Sequence, residues 1–166
     1  MSIAYDKNVL ILGSSAIDSK FYAKLADRFN CDMFASTYPL TSRAANNPNS
    51  TKIFVNSLKN DPEKEVKVYL RALKCIDDAL YIIIDFSSAS TGLGIELSYL
   101  LSNYAKKKYI SFIAKEGSKV SPLIVGMYEH ITGTKINIGI YKDLEDAVKI
   151  IKKSEGYKHF AFDYTN

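Results

Sequence analysis

The sequence predicts an α/β protein with a five-stranded parallel sheet, in a flavodoxin-like or Rossmann-like three-layer sandwich. Apolar runs of strand length alternate along the chain with segments of helical periodicity. The strands also lack the polar–apolar alternation of half-exposed strands, as expected for strands covered on both faces. We expect the strand order 2-1-3-4-5, with a ligand at the carboxyl ends of strands one and three.

Each element has its own signal. Strand one is NVLIL, over 8–12, and the next helix repeats Ile17, Phe21, Leu25 and Phe29 every four residues. The remaining predicted elements are a strand over 31–35, a helix over 63–78, a strand over 79–86, a helix over 91–107, a strand over 109–114, a short helix over 122–130, a strand over 136–141 and a helix over 144–153.

The helix over 63–78 begins after Pro62, which suits a first turn. Its apolar residues are predicted to face the core, and they are Val66, Leu70, Leu73 and Ile76.

One α/β domain over 1–154 and an aromatic C-terminal tail over 155–166 are the predicted organisation. Residues 37–61 are rich in Ser, Thr, Asn and Pro and are interpreted as a long mobile connection. The tail contains four aromatic residues and is interpreted as a docking segment. They are Tyr157, Phe160, Phe162 and Tyr164.

Composition is that of an ordinary soluble protein, with 47% apolar residues, 24% charged residues and a net charge of +4. The basic residues are dispersed, so no nucleic-acid polymer is expected as a partner. Apolar runs of strand length predict no membrane span. Cys31 and Cys75 form neither a disulfide framework nor a metal motif, so we expect a cytoplasmic protein without metal or cofactor.

The most informative stretch is 80–126, where an apolar strand ends in Asp85 and a Ser/Gly-rich turn leads into a helix with Glu96. Free N–H groups at a helix start favour anions. The predicted crevice joins this turn to the end of strand one. Its substrate-binding residues would be Gly13, Ser14, Ser15, Ser88, Ser90, Gly92 and Gly94.

Structural interpretations of the same residues stay open. Glu96 could be a carboxylate favoured by the helix dipole, and Asp85 could satisfy amides at a strand end. The serines could be turn and cap residues, while Gly92 and Gly94 could allow close helix–strand packing.

The motif STGLGIEL, over Ser90–Leu97, follows a Gly-Ser turn after strand one and precedes a spaced pair, Ser121 and Gly126. This pattern resembles the nucleoside 2-deoxyribosyltransferase superfamily over residues 8–153. The closer branch is the 2′-deoxynucleoside 5′-phosphate N-hydrolases, which have Ser at the position of Ser90.

The resemblance implies cleavage of an N-glycosidic bond in a 2′-deoxynucleoside or its 5′-monophosphate. Glu96 would be the catalytic nucleophile that attacks C1′. Gly13, Ser14 and Ser90 would hold the 5′-phosphate, together with Ser121 across a dimer interface. A homodimer or larger homo-oligomer is therefore expected.

The chain departs from the family pattern at three positions. The family acid, about 24 residues before the nucleophile, is replaced by Ala72, the first-turn Arg by Ala16, and the strand-one aromatic by an aliphatic residue near Leu10. Either Asp85 or Asp163 supplies the catalytic acid, or the substrate differs, or the protein is a nucleotide-binding or sensing module without turnover.

Overall fold

The structure, a computed structural model, describes residues 9–13, 19–29, 32–34, 56–88 and 90–165. Most of the connection predicted over 37–61 lies outside these ranges. The strands are β1 (Val9–Leu12), β2 (Asp32–Phe34), β3 (Tyr81–Asp85), β4 (Tyr109–Lys115) and β5 (Ile138–Tyr141). The helices are α1 (Ser19–Phe29), α2 (Lys64–Asp78), α3 (Thr91–Tyr104), α4 (Pro122–Thr132), α5 (Leu144–Lys153) and α6 (Glu155–Thr165).

The strands form one parallel sheet in the order β2-β1-β3-β4-β5. Four strands of four to seven residues make its body, and the three-residue β2 lies at one edge. Ile83 pairs with Ile11 of β1 on one side and with Ser111 of β4 on the other. The predicted α/β class with a parallel sheet is confirmed.

Two apolar clusters cover opposite faces of the sheet. Leu10 and Leu12 of β1 belong to the cluster formed with α2, α3 and α4. Val9 and Ile11 of the same strand belong to the cluster formed with α1, α5 and α6. Because both faces of β1 are buried, its four residues are all apolar, which explains the missing alternation there.

The apolar stripe of α2 differs from its prediction. Ile76 is fully buried and Leu73 is half-buried, as expected. Val66 and Leu70, however, are 57% and 55% exposed. The prediction that they face the core of the same chain is wrong, because only the C-terminal part of this stripe packs against the sheet side.

The aromatic segment at the C-terminus forms helix α6, which packs on its own sheet. Phe160 is buried and stacks on Tyr81 with ring centroids 5.1 Å apart. Tyr157 meets the same ring at 6.1 Å, whereas Phe162 is 71% exposed. Two of its aromatic rings therefore pack in the core of the same chain. The segment was interpreted as a docking segment, and these two rings dock on their own sheet.

Gly156 shows how closely α6 approaches the sheet. A Cβ atom at this position would lie 2.3 Å from the carbonyl oxygen of Ile110 in β4. Only glycine therefore fits at the start of this helix.

No helix within the described ranges has the length and apolar character needed to span a bilayer.

Candidate functional site

The first turn of α3 presents backbone N–H groups at the carboxyl end of the sheet. Ser90 is the N-cap in extended conformation, and its Oγ accepts a hydrogen bond from the N–H of Leu93 at 3.1 Å. Helix geometry leaves the N–H groups of Thr91 and Gly92 without intrahelical acceptors. The predicted cap role of Ser90 is therefore present, and two backbone donors remain at the helix start.

Glu96 is the single charged residue of α3. Burial raises the pKa of its carboxyl from the ordinary value of 4.5 to about 8. Within the described ranges, no hydrogen bond or ion pair offsets this loss of hydration. The carboxyl is therefore mostly protonated at neutral pH, which a surface carboxylate stabilised by the helix dipole would not be. Strongly shifted pKa values of this kind are frequent at functional sites.

Glu96 faces helix α2. Tyr99 lies three residues later on the same side of α3, and its hydroxyl donates to Asp77 of α2 at 2.8 Å. The connection from β2 to β3 passes across β1, which places α2 over β1. Glu96 therefore lies at the seam over β1 and β3, where the strand order reverses and doubly wound proteins bind ligands.

Gly92 lies one turn before Glu96 on the same side of α3. Among the residues that the structure describes, a Cβ atom built on Gly92 or Gly94 would meet nothing within 4 Å. Neither glycine is therefore required for close packing against the described part of the chain, although each weakens a helix by roughly 0.5–1 kcal/mol relative to alanine. Packing among the described residues therefore does not explain either glycine.

Ser90, Gly94 and Ser121 line a groove of about 600 Å³ between α3 and α4. Ser121 is the N-cap residue of α4 but makes no capping hydrogen bond with its side chain. Gly94 and Glu96 are two residues apart on one helix, so they point to different sides of it. The structure therefore brings Ser90 and Ser121 together, but separates Ser121 from Glu96 within one chain.

Asp85 is fully buried among three hydrogen-bonding residues. The hydroxyls of Tyr22 and Tyr141 each donate to its Oδ2 at 2.9 Å. Its Oδ1 accepts from the N–H of Ser87 at 2.8 Å and also from the Ser87 hydroxyl. Burial raises the pKa of the Tyr141 phenol, so it stays a donor.

This network corrects the catalytic assignment of Asp85. Its partners Tyr22 and Tyr141 belong to the apolar cluster on the face of α1 and α5, whereas α3 covers the opposite face. The Ser87 hydroxyl also accepts from the N–H of Lys115, at 2.6 Å. Asp85 therefore joins the ends of three strands to α1, and its carboxylate is not available to a substrate beside Glu96.

The remaining predicted binding residues are placed differently. Gly13 is buried, and a Cβ atom on it would lie 2.3 Å from the Tyr22 hydroxyl, so its missing side chain serves internal packing. Ser88 is half-buried in the turn after β3. Ser14 and Ser15 lie outside the described residues.

Asp163, the second candidate acid, does not lie near Glu96 either. It is exposed on α6 and accepts a hydrogen bond from the Tyr109 hydroxyl. Tyr109 begins β4, so Asp163 lies at the amino end of the parallel sheet. Glu96 follows the carboxyl end of β3, which is the opposite edge. Ala72, at the position of the family acid, is buried in the apolar cluster of α2 and α3.

Sequence reasoning missed Tyr22 and Tyr141. They lie 63 and 56 residues from Asp85 along the chain, so no local spacing connects them with it. A polar residue ending a buried strand was the sole signal that such partners exist.

No protein-family model and no curated protein matches this chain. Membership of the nucleoside 2-deoxyribosyltransferase superfamily therefore stays a prediction from the motif of α3.

Proposed function

We propose that the protein cleaves or transfers the N-glycosidic bond of a 2′-deoxynucleoside or its 5′-monophosphate, with Glu96 as the nucleophile. The observation that supports this most is the position of Glu96. A desolvated carboxyl without a described partner lies at the seam over β1 and β3, one turn from an open helix start. A desolvated carboxyl lowers the stability of the fold when it ionises. A catalytic role would explain why the chain has one here.

The reaction has two steps. The ionised Glu96 carboxylate attacks C1′ of the deoxyribose, and the bond from C1′ to the base nitrogen breaks with its electron pair going to the base. Water or a second base then attacks C1′ of the glycosyl-enzyme and releases Glu96. Among the described residues, no second carboxyl lies beside Glu96 to protonate the base. Bases that leave without protonation are therefore expected to react fastest.

The N–H groups of Thr91 and Gly92 suit a 5′-phosphate, because a helix start binds anions through free donors and its dipole. Ser90 fits the same task, since its hydroxyl accepts from Leu93 and can still donate its own proton to a phosphate oxygen.

If Glu96 is the nucleophile, the direction in which kcat/KM changes with pH follows from its pKa. With a pKa of about 8, roughly a tenth of Glu96 is ionised at pH 7 in the free protein. Only this fraction can attack C1′, so kcat/KM should rise with pH and level off above about 8. If Glu96 were a general acid instead, kcat/KM would fall as pH rises through its pKa.

A second candidate function is nucleotide binding or sensing without turnover. The position of Ala72 favours it, because the family acid is replaced by a residue buried in the apolar core. A binding module would use the same helix start but would not need the ionised form of Glu96.

Release of free base, separated by chromatography, tests the proposal over a panel of deoxynucleosides and their 5′-monophosphates. Wild type should release base, and Glu96→Gln should lose roughly 10³-fold or more of that rate. Glu65→Gln, a matched change at an exposed glutamate of α2, should leave the rate unchanged. Binding of a deoxynucleotide without base release at any pH between 6 and 9 would support the binding module instead.

A further inference from the structure

A buried hydrogen-bond network lies at the carboxyl edge of the sheet and takes no direct part in the proposed reaction. The four side chains that form it, here called the Asp85 network, are Tyr22, Asp85, Ser87 and Tyr141. Asp85 is the last residue of β3, and Tyr141 is the last residue of β5. Ser87 lies in the turn from β3 to α3, and Tyr22 lies on α1. The network therefore joins four elements at the edge where a ligand is proposed to bind.

Asp85 fixes the direction of the chain that leaves β3. Its Oδ1 accepts from both the backbone N–H and the hydroxyl of Ser87, two residues later, which closes a turn. Between them, the N–H of Phe86 donates to the carbonyl oxygen of Ile113 in β4 at 2.8 Å. Helix α3 begins at Thr91, four residues after Ser87. The position of Ser87 therefore limits where the first turn of α3 can lie.

Ser87 is also held by the next two strands. Its Oγ accepts from the N–H of Lys115, the last residue of β4, at 2.6 Å. The same Oγ lies 3.0 Å from the hydroxyl of Tyr141, whose ring stacks on Phe21 of α1 with centroids 5.1 Å apart. Hydrogen bonds depend on angle as well as distance, so these contacts fix the turn in orientation too. The start of α3 is therefore set by β4 and β5 as well as by β3.

The network also reaches the end of β1. Tyr22 donates its hydroxyl proton to Oδ2 of Asp85 at 2.9 Å. The same phenol packs so closely on Gly13, the residue after β1, that a Cβ atom there would overlap it. One phenol therefore holds the ends of β1 and β3 in a fixed relation. These two strand ends form the switch point at which doubly wound proteins bind ligands.

Stability alone does not account for a carboxylate at this position. Asp85 is fully buried, and taking a carboxylate out of water is costly. Apolar side chains of similar volume often stabilise a core equally well or better. A satisfied polar network instead rigidifies its surroundings and specifies one arrangement of them. The Asp85 network therefore suits a role in holding the ligand-binding edge in one geometry.

We propose that the Asp85 network positions the first turn of α3 for the substrate, so that its members are positioning residues. The proposal rests on the proposed function, in which the N–H groups of Thr91 and Gly92 bind a 5′-phosphate. These donors lie four and five residues after Ser87. Glu96 lies nine residues after it, where the buried leucines of α3 hold the helix on the sheet. Loss of a network contact therefore weakens binding of the phosphate more than it slows attack by Glu96.

Steady-state kinetics of base release test the proposal with a 2′-deoxynucleoside 5′-monophosphate and the matching deoxynucleoside. Tyr141→Phe should raise KM for the monophosphate about 10-fold and change kcat less than about 3-fold, because the lost hydrogen bond acts on binding. KM for the deoxynucleoside, which has no phosphate, should stay unchanged. A role in stability alone would affect both substrates equally.

Tyr81→Phe is the matched control. Tyr81 is a buried phenol of the same apolar cluster as Tyr141, and its hydroxyl donates to Ser111 at 2.7 Å. It is the first residue of β3, so it lies at the opposite, amino edge of the sheet. Both phenylalanine variants should lower Tm, but Tyr81→Phe should leave both KM values unchanged.

A second pair of variants covers the case in which Tyr141→Phe does not fold. Ser87→Ala, at a half-buried serine, should raise KM for the monophosphate in the same way. Ser154→Ala should not, since this half-buried serine has its hydroxyl 2.6 Å from that of Ser111, away from the network.

The outcomes separate this proposal from the proposed function. Equal effects on both substrates, or equal effects of a network variant and its control, would overturn the positioning role while wild-type base release upholds the function. A wild type that binds the monophosphate without releasing base would refute the reaction. The dissociation constant from calorimetry then replaces KM, and the same pattern among the variants is expected. A wild type that binds no monophosphate would overturn both.

Discussion

Replacing Glu96 by glutamine should remove a pH-dependent loss of stability. In the folded protein the pKa of this carboxyl is about 8, against an ordinary value of 4.5. Between these two values the folded state holds a proton that the unfolded state has released. The contribution of Glu96 to stability is therefore greatest below pH 4.5 and falls as pH rises towards 8. Glutamine has similar size and no charge at any pH, so it lacks this fall.

The size of this stability difference follows from the pKa shift of Glu96. Each pH unit in this range costs the wild type up to about 1.4 kcal/mol, so 3.5 units cost about 5 kcal/mol. For a chain of this size the difference corresponds to roughly 10–20 °C in Tm. The Glu96→Gln protein should match the wild type near pH 4.5, exceed it increasingly up to about pH 8 and keep a constant advantage above that pH.

Urea unfolding followed by circular dichroism, at half-unit steps from pH 4.5 to 9, measures the difference. Titrations common to both proteins cancel when the two free energies of unfolding are subtracted. Glu65→Gln is the control, because Glu65 is exposed on α2 and its removal should leave the pH dependence unchanged. Parallel curves for wild type and Glu96→Gln would refute the assignment of a desolvated carboxyl to Glu96.

Three further changes test the packing of the fold and the position of Ala72. Tyr22→Phe leaves the buried Asp85 with one donor fewer and should cost about 1–3 kcal/mol in urea unfolding. Gly156→Ala should destabilise by about 2 kcal/mol or more, because the new Cβ would lie 2.3 Å from a β4 carbonyl oxygen, whereas Gly126→Ala, in open space, should cost nothing measurable by thermal melting. Ala72→Asp should lower Tm without increasing the rate of base release, since it places a carboxylate in the apolar core; a rise in that rate would contradict this placement.

The sheet and the helices could be predicted because local patterns determine them. Unalternating apolar runs gave the buried strands, and cap residues gave helix starts. Asp143 caps α5, with its Oδ1 accepting from the N–H of Asp146 at 2.8 Å. Ser90 caps α3 in the same way. The motif also located Glu96, although nothing in its spacing reveals that its carboxyl is desolvated.

Contacts distant in sequence could not be predicted. The partners of Asp85 come from α1 and β5, so a carboxyl interpreted as catalytic proves to join strand ends. Val66 and Leu70, on the apolar stripe of α2, show that the burial of an apolar side chain also could not be predicted from the sequence pattern alone. Periodicity identifies the apolar side of a helix, but the surface that covers it depends on how far the sheet extends beneath that helix.

Trapping the glycosyl-enzyme tests the central claim most directly. A 2′-deoxy-2′-fluoro nucleoside with a good leaving base should transfer its sugar and then break down slowly, because fluorine destabilises the positively charged transition state of both steps. Intact mass spectrometry at pH 8.5, followed by peptide fragmentation, should locate the fluorosugar on the carboxyl of Glu96. Base release without any adduct, or an adduct on another residue that persists in Glu96→Gln, would contradict Glu96 as the nucleophile.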